Sequence, residues 1–153
     1  LFEVKEALDH YRDEFPALKN RIPKWGGFIW FQGWNDMFDS DALAGYENNL
    51  VHLVKDLRLH LKEPNLPVVV GELGNLGEQA GDKMKMIRMA QRRACERKEW
   101  KGSVSFVRTT PFARPKDESP NVGHGHHWFG NAESYFLIGD ALGREMVSQL
   151  KSL

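Results

Sequence analysis

Two hydrophobic regimes alternate along this chain: short unbroken apolar runs, and longer stretches in which apolar residues return every three or four positions. The runs are Gly27-Phe28-Ile29-Trp30-Phe31-Gln32, Pro67-Val68-Val69-Val70-Gly71-Glu72 and Gly102-Ser103-Val104-Ser105-Phe106-Val107. They are rich in aromatic and β-branched residues and bounded by Gly or Pro, which predicts strands at 27–32, 67–72 and 102–107. The second run is continuously apolar, as suits a parallel strand covered on both faces. The periodic stretches predict helices. Residues 2–13 carry Val4, Leu8 and Tyr11 on one stripe and close at Phe15-Pro16. Residues 42–62 align Tyr46, Leu50, Leu53, Val54, Leu57 and Leu61, and Pro64 and Pro67 end that helix. A helix at about 79–98 turns Ile87, Ala90 and Ala94 inward with many of its Lys and Arg residues outward. A last helix at about 131–151 aligns Tyr135, Ile138, Leu142, Met146 and Leu150.

Strand and helix in strict alternation imply right-handed crossovers and a parallel sheet between helix layers, so the fold class is α/β. A length of 153 residues suits one domain with a real core. The segment 108–130, rich in Pro, Gly and His, is too long for an ordinary connection, and long loops in compact domains are functional or disordered.

Charge narrows the possible partners. The 21 Lys and Arg residues balance the 21 Asp and Glu residues, which leaves no global field to draw in nucleic acid or an anionic membrane. The basic face of the 79–98 helix reads as a solvated face. No apolar run approaches the roughly 20 residues needed to span a bilayer. Cys95 is the single cysteine, so an internal disulfide is excluded while the redox compartment stays open, secretion included.

Candidate chemistry gathers at two places. The first strand ends abruptly in Gln32-Gly33-Trp34-Asn35-Asp36, and in open α/β sheets ligands bind outside the carboxyl ends of strands. Gly33 permits close backbone approach, and the Asn35 amide can face a developing oxyanion. The same residues are also ordinary Asx-turn chemistry. The second place is Gly123-His124-Gly125-His126-His127-Trp128-Phe129-Gly130-Asn131. Its histidines are open to three readings: metal ligands, a catalytic base, or side chains that satisfy loop carbonyls. Against metal, His126 and His127 are adjacent, and no H-E-x-x-H or Cys-pair pattern accompanies them.

Taken in order, Phe31-Gln32-Gly33-Trp34-Asn35-Asp36, Glu47-Asn48-Asn49-Leu50, Asp56-Leu57-Arg58, Leu66 through Gly74 and His127 through Gly143 resemble the sialate O-acetylesterase-type domain of the SGNH hydrolase superfamily. The resemblance runs from about residue 15 to 147. It implies a three-layer α/β/α, flavodoxin-like parallel sheet and serine-based removal of O-acetyl groups from carbohydrate. It also implies that Gly33 and Asn35 form the oxyanion hole, that His127 is the base and that Gln32 shapes the pocket. Trp34 and Trp128 adjoin these groups and are placed to stack on a sugar or to pack the pocket mouth. Such chemistry needs no cofactor and no metal.

Two departures qualify the resemblance. The family's Gly-x-Ser nucleophile block is missing, and none of Ser40, Ser103, Ser105, Ser119, Ser134, Ser148 and Ser152 follows a strand in a tight Gly-rich turn. The expectation is therefore that residues 1–153 are the C-terminal portion of one domain, with its first strand or strands missing. An upstream half or a partner chain would complete the site, and the isolated piece would aggregate or stay partly unfolded through exposed sheet edges and apolar faces. The other reading is a pseudoenzyme or interaction module that retains the fold. The family's aspartate before the histidine is also absent, its positions held by His124 and Gly125. Glu72 is the best substitute for orienting the imidazole, ahead of Asp117 and Glu118; a carboxylate paired with Arg or Lys at a strand end is the alternative for Glu72.

Overall fold

The computed structural model describes residues 2–152. Three strands, β1 (Phe28–Trp30), β2 (Val68–Gly71) and β3 (Val104–Val107), form one parallel sheet in the order β1-β2-β3. Each lies inside its expected run and is shorter than it by two or three residues. The helices are α1 (Phe2–Glu14), α2 (Ser40–Leu61), α3 (Asp82–Cys95) and α4 (Ala132–Ser152). The class is α/β, as the alternation of elements requires.

Register decides which side of the sheet each residue serves. Phe28 and Trp30 pair with Val68 and Val70, and these align with Val104 and Phe106. That set packs with Tyr46, Leu50, Val51 and Val54 of α2 and with Met84, Ile87, Ala90 and Ala94 of α3. Val69 points the other way, into a smaller cluster with Trp128 and with Ile138 and Leu142 of α4. Val68, Val69 and Val70 are wholly buried, the expected outcome for a central strand with helices on both faces.

Capping explains the helix limits. Asp39 starts α2 by accepting from the amides of Asp41 (2.9 Å) and Ala42 (2.8 Å), so the helix begins before the apolar stripe does. It stops at Lys62, which takes a left-handed conformation with φ 58°. The third helix is shorter than its periodicity suggests. Separate 3₁₀ turns at Gly77–Gln79 and Lys98–Trp100 flank it, and Trp100 folds back to donate from Nε1 to Ala94 O at 2.5 Å.

Lys83, Lys85, Arg92 and Arg93 of α3 face outward, whereas Arg88 is buried, on the same face as Ile87 and Gln91. The α1 stripe does not enter a core, since Val4 is 44% exposed and Leu8 and Tyr11 are only partly buried. Edge strand β1 is also open on its α4 side, with Ile29 45% and Phe31 37% exposed. Among the described residues, the only strand paired with β1 is β2. No helix of the described chain is long and apolar enough to cross a membrane.

Candidate active site

The chain leaves β1 through a turn that the fold holds tightly from beneath. Tyr46 Oη donates to Gln32 O at 2.6 Å, and Gln91 Nε2 donates to the same oxygen at 3.0 Å. Trp30 Nε1 in turn donates to Tyr46 Oη at 3.2 Å. Burial pushes the Tyr46 phenol above its ordinary value, against the opposing pull of the Trp30 and Gln91 hydrogen bonds, so it stays a neutral donor. Gly33 follows, buried and with φ 151°, where a Cβ would sit 2.9 Å from Ile87 Cγ2 and 3.2 Å from Tyr46 Oη. Only glycine fits that space without displacing its neighbours. Asn35 opens the next short turn, Asn35–Phe38, with its side chain exposed. Gln32 Nε2 donates to Asp36 Oδ2 at 2.6 Å across the turn.

The second strand exit is organised from α3. Gln91 is wholly buried, and its Oε1 accepts from Leu73 N at 2.9 Å. Arg88 donates from Nε to Leu73 O (2.7 Å), from Nη2 to Asn75 O (2.8 Å) and from Nη1 to Gly77 O (3.0 Å). A guanidinium spread over backbone carbonyls fixes the shape of the 73–77 loop. Burial lowers its pKa from the ordinary arginine value, partly countered by Glu72 and Glu78.

The histidine segment arrives from the far side. Residues Gly125–Gly130 form a distorted helical turn in which Trp128 (φ 52°) and Phe129 (φ 53°) both lie in the left-handed region. Consecutive bulky residues rarely adopt that conformation, and such strain clusters at functional sites. Trp128 is buried and stacks on Phe31 with ring centroids 6.2 Å apart. That anchor leaves the neighbouring His127 exposed. The contacts that hold His127 run through its backbone: its N–H donates to His124 O at 3.0 Å, and its carbonyl accepts from Tyr135 Oη at 2.9 Å. Its ring lies 4.2 Å from that of His126, centroid to centroid, and His126 lies 5.6 Å from Trp34. Partial desolvation, then His127 and His124, hold the His126 pKa below the ordinary imidazole value.

These three segments enclose one cavity of about 510 Å³ at the carboxyl end of the sheet. Gln32, Gly33, Trp34 and Asn35 form one wall, and His126, His127 and Trp128 form the other. Phe31, Leu73, Asn75 and Tyr135 complete it. Residues more than ninety positions apart in sequence thus meet across a single cleft. A larger cavity of about 680 Å³ lies among Lys55, Arg58 and Trp100, beside the opposite strand ends, and contains none of the candidate site residues.

Glu72 stands apart from this cleft. It is buried, and its Oε2 accepts from Thr109 N (2.9 Å), Thr110 N (2.8 Å) and Thr110 Oγ1 (2.6 Å). These partners are the main chain and a hydroxyl where the chain leaves β3; neither an Arg or Lys nor His127 is among them. Asp117 and Glu118 sit in a separate exposed 3₁₀ turn. Among the described residues, no serine lines the cleft. Ser134, the one on α4 nearest the histidine segment in sequence, is wholly buried and donates to Phe112 O at 2.7 Å. Among the described residues, no group of three or more His, Cys, Asp or Glu has the arrangement to hold a metal ion.

Sequence reasoning passed over Tyr46, Asn75, Arg88, Gln91 and Tyr135 as functional positions. Tyr46 and Tyr135 look like members of apolar stripes, and Arg88 looks like part of a solvated face. One signal was available: Met84, Ile87, Arg88, Gln91, Ala94 and Cys95 share a single helical stripe and are all buried.

No curated protein and no solved structure matches the chain. The family model described as carbohydrate esterase, sialic acid-specific acetylesterase matches residues 5–147 of the 153. With its parallel α/β sheet and its cleft at the strand ends, the chain belongs to the carbohydrate esterase, sialic acid-specific acetylesterase family.

Proposed function

We propose that this chain supplies the oxyanion hole and the general base of an esterase that removes O-acetyl groups from carbohydrate. The nucleophilic serine then comes from outside these 153 residues, through an upstream part of the same domain or a partner chain. The observation that carries the reading is the meeting of the Gly33–Asn35 turn with His127 across one cleft that no serine among the described residues lines.

In this reading the serine hydroxyl gives its proton to the His127 imidazole as its oxygen attacks the acetyl carbonyl carbon. Negative charge develops on the former carbonyl oxygen, where the Gly33 N–H and the Asn35 amide donate to it. Collapse of the tetrahedral species breaks the bond to the sugar oxygen, which leaves with the proton held by His127. Water then attacks the acetyl-serine by the same route in reverse, releasing acetate and restoring the serine. Trp34 and Trp128 offer apolar surface to a sugar ring, and Gln32 sets the shape of the pocket beside the turn. Glu72 serves as a brace for the exit of β3 in place of a triad acid.

The open edge of β1 and the half-exposed Ile29 and Phe31 beside it support an additional strand there. The test is acetate release from O-acetylated sugars and a chromogenic acetate ester by the full-length protein. His127→Ala should lower kcat/KM by about 10²–10⁴-fold, the usual contribution of a general base. A His127→Ala rate near wild type removes the base assignment. A full-length protein that binds acetylated sugars without cleaving them replaces this reading with a pseudoenzyme.

A further inference from the structure

Asn75 is 2% exposed and lines the cleft, yet neither the oxyanion turn nor the histidine segment contains it. Its Nδ2 gives both donors to the histidine segment, one to Gly125 O at 3.2 Å and one to His126 O at 3.0 Å. Its Oδ1 is buried without a hydrogen-bond partner. A buried acceptor left unpaired is costly and uncommon, and the two Nδ2 hydrogen bonds are what the side chain makes in return.

We propose that Asn75 is the positioning residue for the His127 imidazole, an inference that rests on the reading of His127 as the base. The anchor itself is rigid, because Asn75 O accepts from Arg88 Nη2 at 2.8 Å and the flanking Leu73 and Gly77 carbonyls accept from the same guanidinium. Tyr135 Oη takes the next carbonyl, that of His127, at 2.9 Å. Three consecutive carbonyls, of residues 125, 126 and 127, are therefore gripped by two side chains. Peptide planarity carries that grip to the His127 Cα and so to the base of its side chain. The clamp acts directly before the left-handed pair Trp128 and Phe129, a conformation that persists only where the surroundings over-determine it. The carboxylate that would orient the ring in a triad is replaced here by control of the backbone that bears it. Glu72, the nearest alternative from the sequence, is committed to Thr109 and Thr110.

The experiment compares Asn75→Ala and the near-isosteric Asn75→Asp with His127→Ala in the full-length protein. It measures kcat and KM on a chromogenic acetate ester and the His127 Cε1–H resonance by NMR, with the melting temperature as a check on folding. An ionised Asp has no donor for the two carbonyls, so both Asn75 variants should behave alike. The expected result is a fall in kcat of about 10- to 100-fold, of the size a small misplacement of a catalytic group produces. KM should stay unchanged, and the His127 resonance should shift or broaden while those of His52 and His60 on α2 stay fixed. Unchanged kcat with an unchanged His127 resonance in folded Asn75→Asp overturns the inference. If His127→Ala proves active, the base reading fails by itself, and the His127 resonance in the Asn75 variants still decides whether Asn75 holds that side chain.

Discussion

Gln91 and Gln32 lie 59 positions apart, and the Gln91 Nε2 donates to the Gln32 carbonyl at 3.0 Å while its Oε1 accepts from Leu73 N at 2.9 Å. One wholly buried amide on α3 thus ties the exit of β1 to the exit of β2. Both exits contribute residues to the cleft, so the spacing across it is set from beneath, by a side chain that never reaches it.

Gln91→Leu should destabilise the fold by about 1–3 kcal/mol, because it leaves the Leu73 N–H buried and unsatisfied. Urea denaturation reads this as a lower midpoint with an unchanged m-value. Gln91→Glu retains the acceptor for Leu73 N and loses the donor to Gln32 O, so it separates the two halves of the brace. A midpoint equal to wild type in both variants would show that the bridge contributes nothing.

Gly33→Ala meets two obstacles at once. Its Cβ would stand 2.9 Å from Ile87 Cγ2 and 3.2 Å from Tyr46 Oη, at a backbone φ of 151° that L-residues seldom adopt. Relief requires the turn to lift away from Tyr46, carrying the Gly33 N–H away from the position proposed for the substrate carbonyl oxygen. The expected outcome is a loss of about 1–3 kcal/mol in stability and a drop in kcat larger than in 1/KM. Wild-type kcat in Gly33→Ala would contradict the oxyanion role of this N–H.

Glu72 separates a brace from a triad member. Glu72→Ala abandons two buried amides and a hydroxyl of Thr109 and Thr110, and the cost should be about 2–3 kcal/mol or more. At temperatures where the variant is fully folded, esterase activity should persist. Selective loss of kcat in a variant of undiminished stability would restore Glu72 as the partner of His127.

Cys95 reports on the integrity of α3. Burial, aided by the nearby Glu96, pushes its thiol up to about 12 from an ordinary 9.0. The native state therefore favours the neutral thiol. Stabilisation from this group is complete below pH 9.0 and is lost as pH climbs toward about 12. Tyr46, also raised by burial from 10.0, adds to the same alkaline decline. Urea midpoints should fall with rising pH above 9.0, and Cys95 should resist a thiol reagent at neutral pH until the protein is unfolded. Rapid labelling of the native protein would show that α3 opens readily.

The chemistry-bearing turn and loop were legible because each is a local pattern. Gln32-Gly33-Trp34-Asn35-Asp36 interrupts an apolar run, and His124, His126 and His127 crowd a long loop. Strand positions were equally legible, since β2 must be apolar on both faces to sit between α4 and the α2–α3 layer. The apolar stripe of α1 stays largely uncovered in the described chain, because periodicity reports a face suited to burial and not whether anything covers it. Arg88 was passed over for a related reason: composition places arginine outside, and only the carbonyls of Leu73, Asn75 and Gly77 make its burial favourable.

By itself, the sequence determined the order of strands and helices, the parallel α/β class, and the two segments that carry the candidate oxyanion donors and base. Those follow from patterns a few residues long, which depend on local geometry and on alternation between inside and outside. The tertiary structure alone decided that the two segments share one cleft, that Glu72 faces Thr109 and Thr110 instead of His127, and that Gln91, Arg88 and Asn75 hold the walls in register. Buried hydrogen bonds are formed between groups far apart in the chain, and their partners are chosen by how the layers pack; no periodicity records that choice.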